Sequence, residues 1–244
     1  MNVSPRPQKT ALIVAKRVVD DIRRQGQTVG DRLPPERVML ETYGVGRGTL
    51  REALRFLELQ GILTLKPGPG GGPVIEKPDA SHLANGLLLL LQFTDAPFSM
   101  IVEARGDLEP IMARHAASRM APDALARLGG SVEQMRDNLG DREIFLATNR
   151  EFHELIAWGL GNAMYGFLID ALVDIVDGTH MGVDYPEQRR KAILGAHERI
   201  FSALDAHDGD SSYAAMDEHM SEFVRYMQRR YSDVLEQTVT WDLL

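Results

Sequence analysis

Gly30-Asp-Arg-Leu-Pro-Pro-Glu-Arg37, then Tyr43-Gly-Val-Gly-Arg47-Gly-Thr-Leu-Arg51-Glu-Ala-Leu-Arg55, then Leu57-Glu-Leu-Gln-Gly61, is the stretch on which the fold turns. Between Gly46 and Gln60 the apolar residues Leu50, Ala53, Leu54 and Leu57 recur at i, i+3, i+4 and i+7, the pattern of a helix with one buried face. Gly61 closes that helix. A shorter helix precedes it, starting at the tolerated prolines Pro34 and Pro35 and running through Tyr43, with Gly44 as its C′ glycine. Upstream, Ala11, Val14, Ala15, Val18 and Ile22 mark an amphipathic helix from Lys9 to Gln25. Downstream, residues 62–66 and 74–76 read as two short strands around a glycine-rich turn at 67–73. Three helices and a two-stranded wing in 77 residues predict a winged helix-turn-helix.

The third helix carries a second stripe. Arg47, Arg51 and Arg55 stand at i, i+4 and i+8, offset from the apolar face. An arginine stripe at the start of a helix can enter a DNA major groove and fork onto guanine O6 and N7. Arg37, at the start of the preceding helix, is placed to meet phosphate. A solvated face would show the same pattern, with Arg51 and Arg55 paired to Glu52 and Glu58. The glycines at 44–48 and in the wing are not a nucleotide loop: neither set follows a buried strand to open a βαβ unit, and no Lys-Ser/Thr completes a phosphate loop.

The charge is divided between two regions. Residues 1–77 hold 13 Lys/Arg against 8 Asp/Glu, whereas residues 78–244 hold 14 against 27. A net charge of −8 therefore hides a basic module, suited to a polyanion, and an acidic one with another task. The absence of cysteine excludes disulfides, thiolate metal sites and a cysteine nucleophile. Residues 1–20 lack the apolar core of a signal peptide, and the aliphatic run Leu87–Leu91 is far short of the ~20 residues a bilayer needs. A cytoplasmic protein with no membrane partner is expected.

Pro78 marks the expected boundary, giving domains of 1–77 and 78–244. Beyond it, helices are expected at about 80–93, 97–119, 122–139, 142–160, 163–181, 186–207 and 211–232, an antiparallel bundle of seven on short connections. The fold class is mainly α. All seven histidines lie here. His82, His115, His180 and His207 have no partner at ligand spacing. Asn149 and His153 share a helix face at i, i+4, while His197 and His219 each sit mid-helix. Three imidazoles from separate helices can converge on a transition metal in a bundle core. Spacing alone is equally met by three separately satisfied histidines.

The first stretch, over residues 9–76, resembles the GntR family of bacterial regulators in sequence, spacing and order. That resemblance implies operator contacts by Arg37, Arg47 and Arg51, with Thr49 retained, and a wing around Lys66 and Gly68 that reaches the minor groove. Gly46 and Gly48 depart from it, standing where hydroxyl residues are frequent in the family. Glu103-Ala-Arg105-Gly-Asp-Leu-Glu109, Phe152-His153 before Gly161-Asn162, and then His197 and His219 resemble the FCD sensing domain of the FadR-type subgroup over about 80–232. This implies a divalent metal on His153, His197 and His219, zinc or nickel, beside a pocket for a small carboxylate faced by Arg105. The first ligand of many members is an aspartate; here Asn149 stands in its place, a neutral and weaker ligand that leaves the site more positive.

Together these imply a ligand-responsive repressor, a homodimer on a palindromic operator, and no enzyme. Two other classes compete: a metal-dependent enzyme using the histidine cluster, for which no well-placed general base is evident, and a constitutive DNA-binding protein whose helical domain only dimerises.

Overall fold

The computed structural model describes residues 7–68, 71–77, 79–176 and 182–240. The chain divides into two compact units, Met1–His82 and Leu83–Leu244. Pro78 and the tip of the expected wing, residues 69–70, lie outside the described residues, as do His180 and the end of the helix expected at 163–181.

In the first unit, α1 (Pro7–Arg24), α2 (Glu36–Tyr43) and α3 (Arg47–Leu59) precede a hairpin of β1 (Leu63–Lys66) and β2 (Gly72–Ile75). The strands pair antiparallel, Leu63 opposite Ile75 and Lys66 opposite Gly72. The apolar stripes read from the sequence meet at one core: Ala11, Val14, Ala15 and Val18 of α1 with Leu50, Ala53, Leu54 and Leu57 of α3, closed by Met39, Leu63 and Ile75. Helix α2 begins after the two prolines, with Pro35 as its N-cap, and ends on Gly44 at φ 64°, a left-handed conformation in which a side chain is strained. Gly61, at φ +68°, has a second reason to be glycine. A Cβ there would collide with the His82 ring.

A feature without sequence signal adds a third segment to the wing. Gly30 N–H donates to Ile75 C=O at 2.8 Å and Ile75 N–H to Asp31 C=O at 2.9 Å, with an isolated bridge between Arg32 and Val74. The stretch 30–33 thus covers the free edge of β2, which an unpaired strand would otherwise expose.

The second unit is helical: α4 (Ser81–Phe93), α5 (Ser99–Arg119), α6 (Pro122–Asp137), α7 (Arg142–Gly159), α8 (Ala163–Val176), α9 (Glu187–Asp205), α10 (Gly209–Arg230) and the short α11 (Ser232–Leu235). The last was not expected. Helix α5 packs on α7, α8, α9 and α10, and α6 bridges α7 and α9. Phe98, Phe145, Phe152, Met112, Leu128 and Met135 are fully buried among them. Asp141 caps α7 by accepting from the backbone N–H of Glu143 and Ile144, and Asp208 caps α10 by accepting from Ser211 N–H. The segment after α11 returns to the start of α5, where Phe98 N–H donates to Gln237 C=O at 2.9 Å and Val239 N–H to Ala96 C=O at 3.0 Å. No described helix is long and apolar enough to cross a membrane.

Leu50 is wholly enclosed at the α1–α3 contact. Leu50→Ala is expected to destabilise the first unit by about 2–5 kcal/mol through lost burial and the cavity left behind. Urea denaturation followed by circular dichroism measures this as an earlier transition.

Candidate functional site

In the first unit the arginine stripe faces solvent. Helix α3 opens at Arg47, with Gly46 as an N-cap that offers no side-chain acceptor, so the hydroxyl common in the family is not replaced by another group. Arg47 is exposed and Thr49 half-buried. Arg51 is held, but not by Glu52: its Nε and Nη2 donate to Oε1 and Oε2 of Glu36 on α2, at 3.2 and 3.4 Å. Arg55 pairs with Glu58 at 3.6 Å. Arg37 lies 3.9 Å from Glu41 with its side chain 89% exposed. Lys66 ends β1 in solvent, and Gly68 follows with φ +90°. Exposed pairs of this kind contribute little to stability, so the cations remain available to a polyanion.

In the second unit three helices bring the histidines together. His153 of α7, His197 of α9 and His219 of α10 are all buried, and one ring nitrogen of each lies within 4.8 Å of those of the other two. Nε2 of His153 and Nε2 of His219 are 3.5 Å apart. The His197 ring is stacked on Phe152 at 3.8 Å between centroids and 8° between planes, which fixes its orientation. Neither His197 nitrogen has a hydrogen-bond partner among the described residues. A buried polar atom without a partner costs free energy, and two on one ring call for a ligand. Burial pushes the His197 and His219 imidazoles well below their ordinary range, and the neighbouring imidazoles push the same way. Both rings are therefore neutral near pH 7, with a lone pair to offer. Three converging imidazoles are a donor set for a divalent transition ion, and these residues fit one.

The outer shell is equally specific. Glu109 of α5 is buried and accepts from His153 Nδ1–H on one oxygen, while Arg105 Nε donates to the other at 2.5 Å. That bond leaves Nε2 of His153 as the free nitrogen facing His219. A carboxylate behind a ligating imidazole is how metal sites set tautomer and ring orientation. Asn149, one turn before His153, lines with His153, His219 and Arg105 a cavity of about 140 Å³. The sequence reading had Arg105 facing a pocket; in the structure Arg105 borders the cavity and also pairs with Glu109. It missed that Glu109 orients His153, which only a contact between residues 44 apart could show. It also missed Arg189, a further wall of the cavity. A signal existed, since Arg189, Ile193 and His197 follow i, i+4, i+8, but the run Gln-Arg-Arg-Lys reads as a solvated surface. Of the remaining histidines, His207 donates from Nδ1 to Ala117 C=O at 2.8 Å, a structural role.

Comparison with known proteins identifies both domains. Residues 10–71 match the family described as bacterial regulatory proteins, gntR family, and residues 100–222 match the FCD domain. The chain belongs to the GntR family of bacterial regulatory proteins. Its FCD domain behind the winged helix is the combination of the FadR-type subgroup. This GntR protein is 25% identical over 219 residues to the HTH-type transcriptional repressor NanR of Enterobacter sp. (strain 638), covering 88% of this chain and 84% of that one. It is 28% identical over 214 residues to the uncharacterized HTH-type transcriptional regulator YcbG of Bacillus subtilis (strain 168), covering 87% of each. Among solved structures, a GntR protein of Streptococcus agalactiae aligns with TM-score 0.70 and 27% identity over 88% of this chain and 99% of that one. The GntR protein is accordingly a ligand-responsive DNA-binding regulator, not an enzyme.

Glu109 makes the polar centre of the FCD unit sensitive to acid. Burial by itself would raise its carboxyl, but the electrostatic attraction of Arg105 and of the His153 ring and their hydrogen bonds outweigh burial and hold it at about 2, against 4.5 ordinarily. A depressed carboxyl stabilises the fold fully above its unfolded value and loses that contribution as pH falls through the folded one. The Glu109 contribution is expected to be complete above about pH 4.5 and to fade toward pH 2. Glu109→Gln, which leaves Arg105 without its counter-charge, is expected to cost about 3–5 kcal/mol and to flatten this acid limb in urea titrations from pH 7 to pH 3.

Proposed function

We propose that this protein is a repressor that binds a palindromic operator as a homodimer in the cytoplasm and is switched by a small organic carboxylate. We further propose that a divalent ion, zinc or nickel, sits on His153, His197 and His219, with Asn149 as a weak fourth ligand. The observation that carries the reading is the buried histidine trio, two of whose members, His153 and His219, line the cavity, with both nitrogens of His197 lacking any partner among the described residues. When bound, the ion would supply open coordination positions to a carboxylate, and imidazole-rich sites suit these metals. A cavity of about 140 Å³ bordered by imidazoles favours a small acid over a fatty acyl chain. Repression is favoured by the names of the NanR relatives.

On the DNA side, Arg37, Arg47, Thr49, Arg51, Lys66 and Gly68 are the proposed contacts. The exposed stripe of α3 supports base reading, and the wing residues support a groove contact. Self-association is favoured by α4, which leaves Leu90 68% and Phe93 87% exposed, a large apolar cost for a surface helix. Two-fold symmetry of the protein would impose two-fold symmetry on its site. The carboxylate can act only by binding DNA-competent and DNA-incompetent arrangements differently, and about 1–3 kcal/mol of coupling makes a useful switch.

Two outcomes test this. In operator titrations, Arg47→Ala and Arg51→Ala are each expected to cost on the order of 1–3 kcal/mol and to relax base preference, with affinity falling steeply as salt rises; a double variant that folds and binds as tightly as the parent removes the DNA assignment. Native mass spectrometry of the cell-purified protein is expected to give a dimer with one divalent ion per chain. The ion should be absent from His197→Phe and held more tightly by Asn149→Asp, because a carboxylate replaces an amide. A parent protein that takes up neither zinc nor nickel overturns the metal assignment.

A further inference from the structure

Three arginines line the FCD cavity, and they are not equivalent. Arg105 is committed to Glu109 at 2.5 Å. Arg150 lies between two carboxylates, pairing with Glu154 at 2.7 Å and with Asp174. Arg189 forms no ion pair among the described residues, and its Nε is buried without a hydrogen-bond partner. Glu222 is close enough for its charge to be felt at Arg189, but its carboxylate is bound to Arg225 at 2.7 Å.

The unpaired guanidinium is nevertheless held in place. Its carbon lies 4.6 Å over the Tyr226 ring, and the Tyr226 hydroxyl donates to Asp184 C=O at 2.7 Å, which anchors the platform beneath it. A half-buried cation kept in a fixed position without an ion pair loses hydration that an arriving anion would repay. Arg189, Ile193 and His197 share one face of α9, and Ile193 lines the cavity too. The cavity therefore has a histidine end, walled by His153, His219 and Asn149, and an arginine wall set about two helical turns along α9 from His197. Its volume of about 140 Å³ has room for on the order of ten water-sized groups, enough for an acid of a few carbons.

We infer that Arg189 is the anion-recognition residue of this cavity and that the effector is a small dicarboxylate, one carboxylate held at the histidine end and the other by the Arg189 guanidinium. This deepens the proposed carboxylate-sensing role and rests on it. The planar fork of a guanidinium matches a carboxylate in bidentate fashion, which an ammonium does not. Arg105, whose Nε is engaged by Glu109 and whose charge is thereby countered, is a positioning residue for His153 rather than the ligand's partner. Arg150, doubly paired, braces α7 against α8.

The test is isothermal titration of the full-length, cell-purified protein with malonate, succinate and glutarate, and with propionate, butyrate and valerate as their singly charged counterparts of equal chain length. Parent protein is expected to bind at least one dicarboxylate roughly tenfold more tightly than its counterpart. Arg189→Gln is expected to erase that preference by weakening the dicarboxylate, leaving the monocarboxylate within about twofold, and Arg189→Lys to restore part of it by charge without the fork. Circular dichroism and thermal melting confirm that each variant is folded. If Arg189→Gln binds the dicarboxylate as the parent does, or if the parent shows no preference for two carboxylates over one, the assignment of Arg189 is overturned while carboxylate sensing stands. If the parent binds none of the six acids, carboxylate sensing falls and the inference with it.

Discussion

A single buried carboxylate organises the polar centre of the helical unit. Glu109 is enclosed by α5 and its neighbours, and it would be intolerable there alone, because an ion removed from water must be paired and hydrogen-bonded to persist. Arg105, one turn earlier on α5, supplies the counter-charge, and His153 of α7 supplies a second donor. The pairing fixes the His153 ring, and the ring in turn presents Nε2 to His219 on α10. Helices α5, α7 and α10 are thus joined by directional bonds as well as by apolar contact. His197 completes the set from α9, clamped by Phe152 rather than by a hydrogen bond. Leaving both His197 nitrogens without a partner among the described residues costs stability that a core optimised for folding would not give up.

The winged-helix unit follows a different logic. Its core is purely apolar, with stripes of α1 and α3 meeting over Met39, Leu63 and Ile75, and its cations are left outside. Arg51 rests on Glu36 of the preceding helix, a pair with both partners substantially exposed. Such a pair is weak in water and screened by salt. It orients the guanidinium without consuming it, and phosphate or a base edge can compete with one carboxylate. The acidic unit differs at its centre, where one charge pair, Arg105 with Glu109, is drawn inside.

The two units also differ in how far a sequence reading could carry. The winged helix was legible almost residue by residue, because its determinants are local: helical periodicity at Ala11–Ile22 and Leu50–Leu57, glycine at Gly44 and Gly61, prolines ahead of α2, and a glycine-rich turn between short strands. What escaped was the pairing of residues 30–33 with β2, since Gly-Asp-Arg-Leu carries no alternation and owes its hydrogen bonds to a strand forty residues away. The helices of the second unit were legible for the same local reason. Short α11 escaped because four residues give no period to read.

The sequence by itself determined which side chains were available for chemistry: three mid-helix histidines, an asparagine one turn before the first, and arginines on α3 at groove-reading spacing. Periodicity fixes the face of a helix on which a residue lies, but not which faces meet. Only the tertiary structure decided that His153, His197 and His219 converge, that Glu109 stands behind His153, that Arg51 answers to Glu36 rather than Glu52, and that Arg189 is the cavity's arginine with no ion pair among the described residues. Each of those outcomes depends on contacts between helices distant in the chain, where burial and pairing set the energy of a charge; composition and spacing carry no record of that environment.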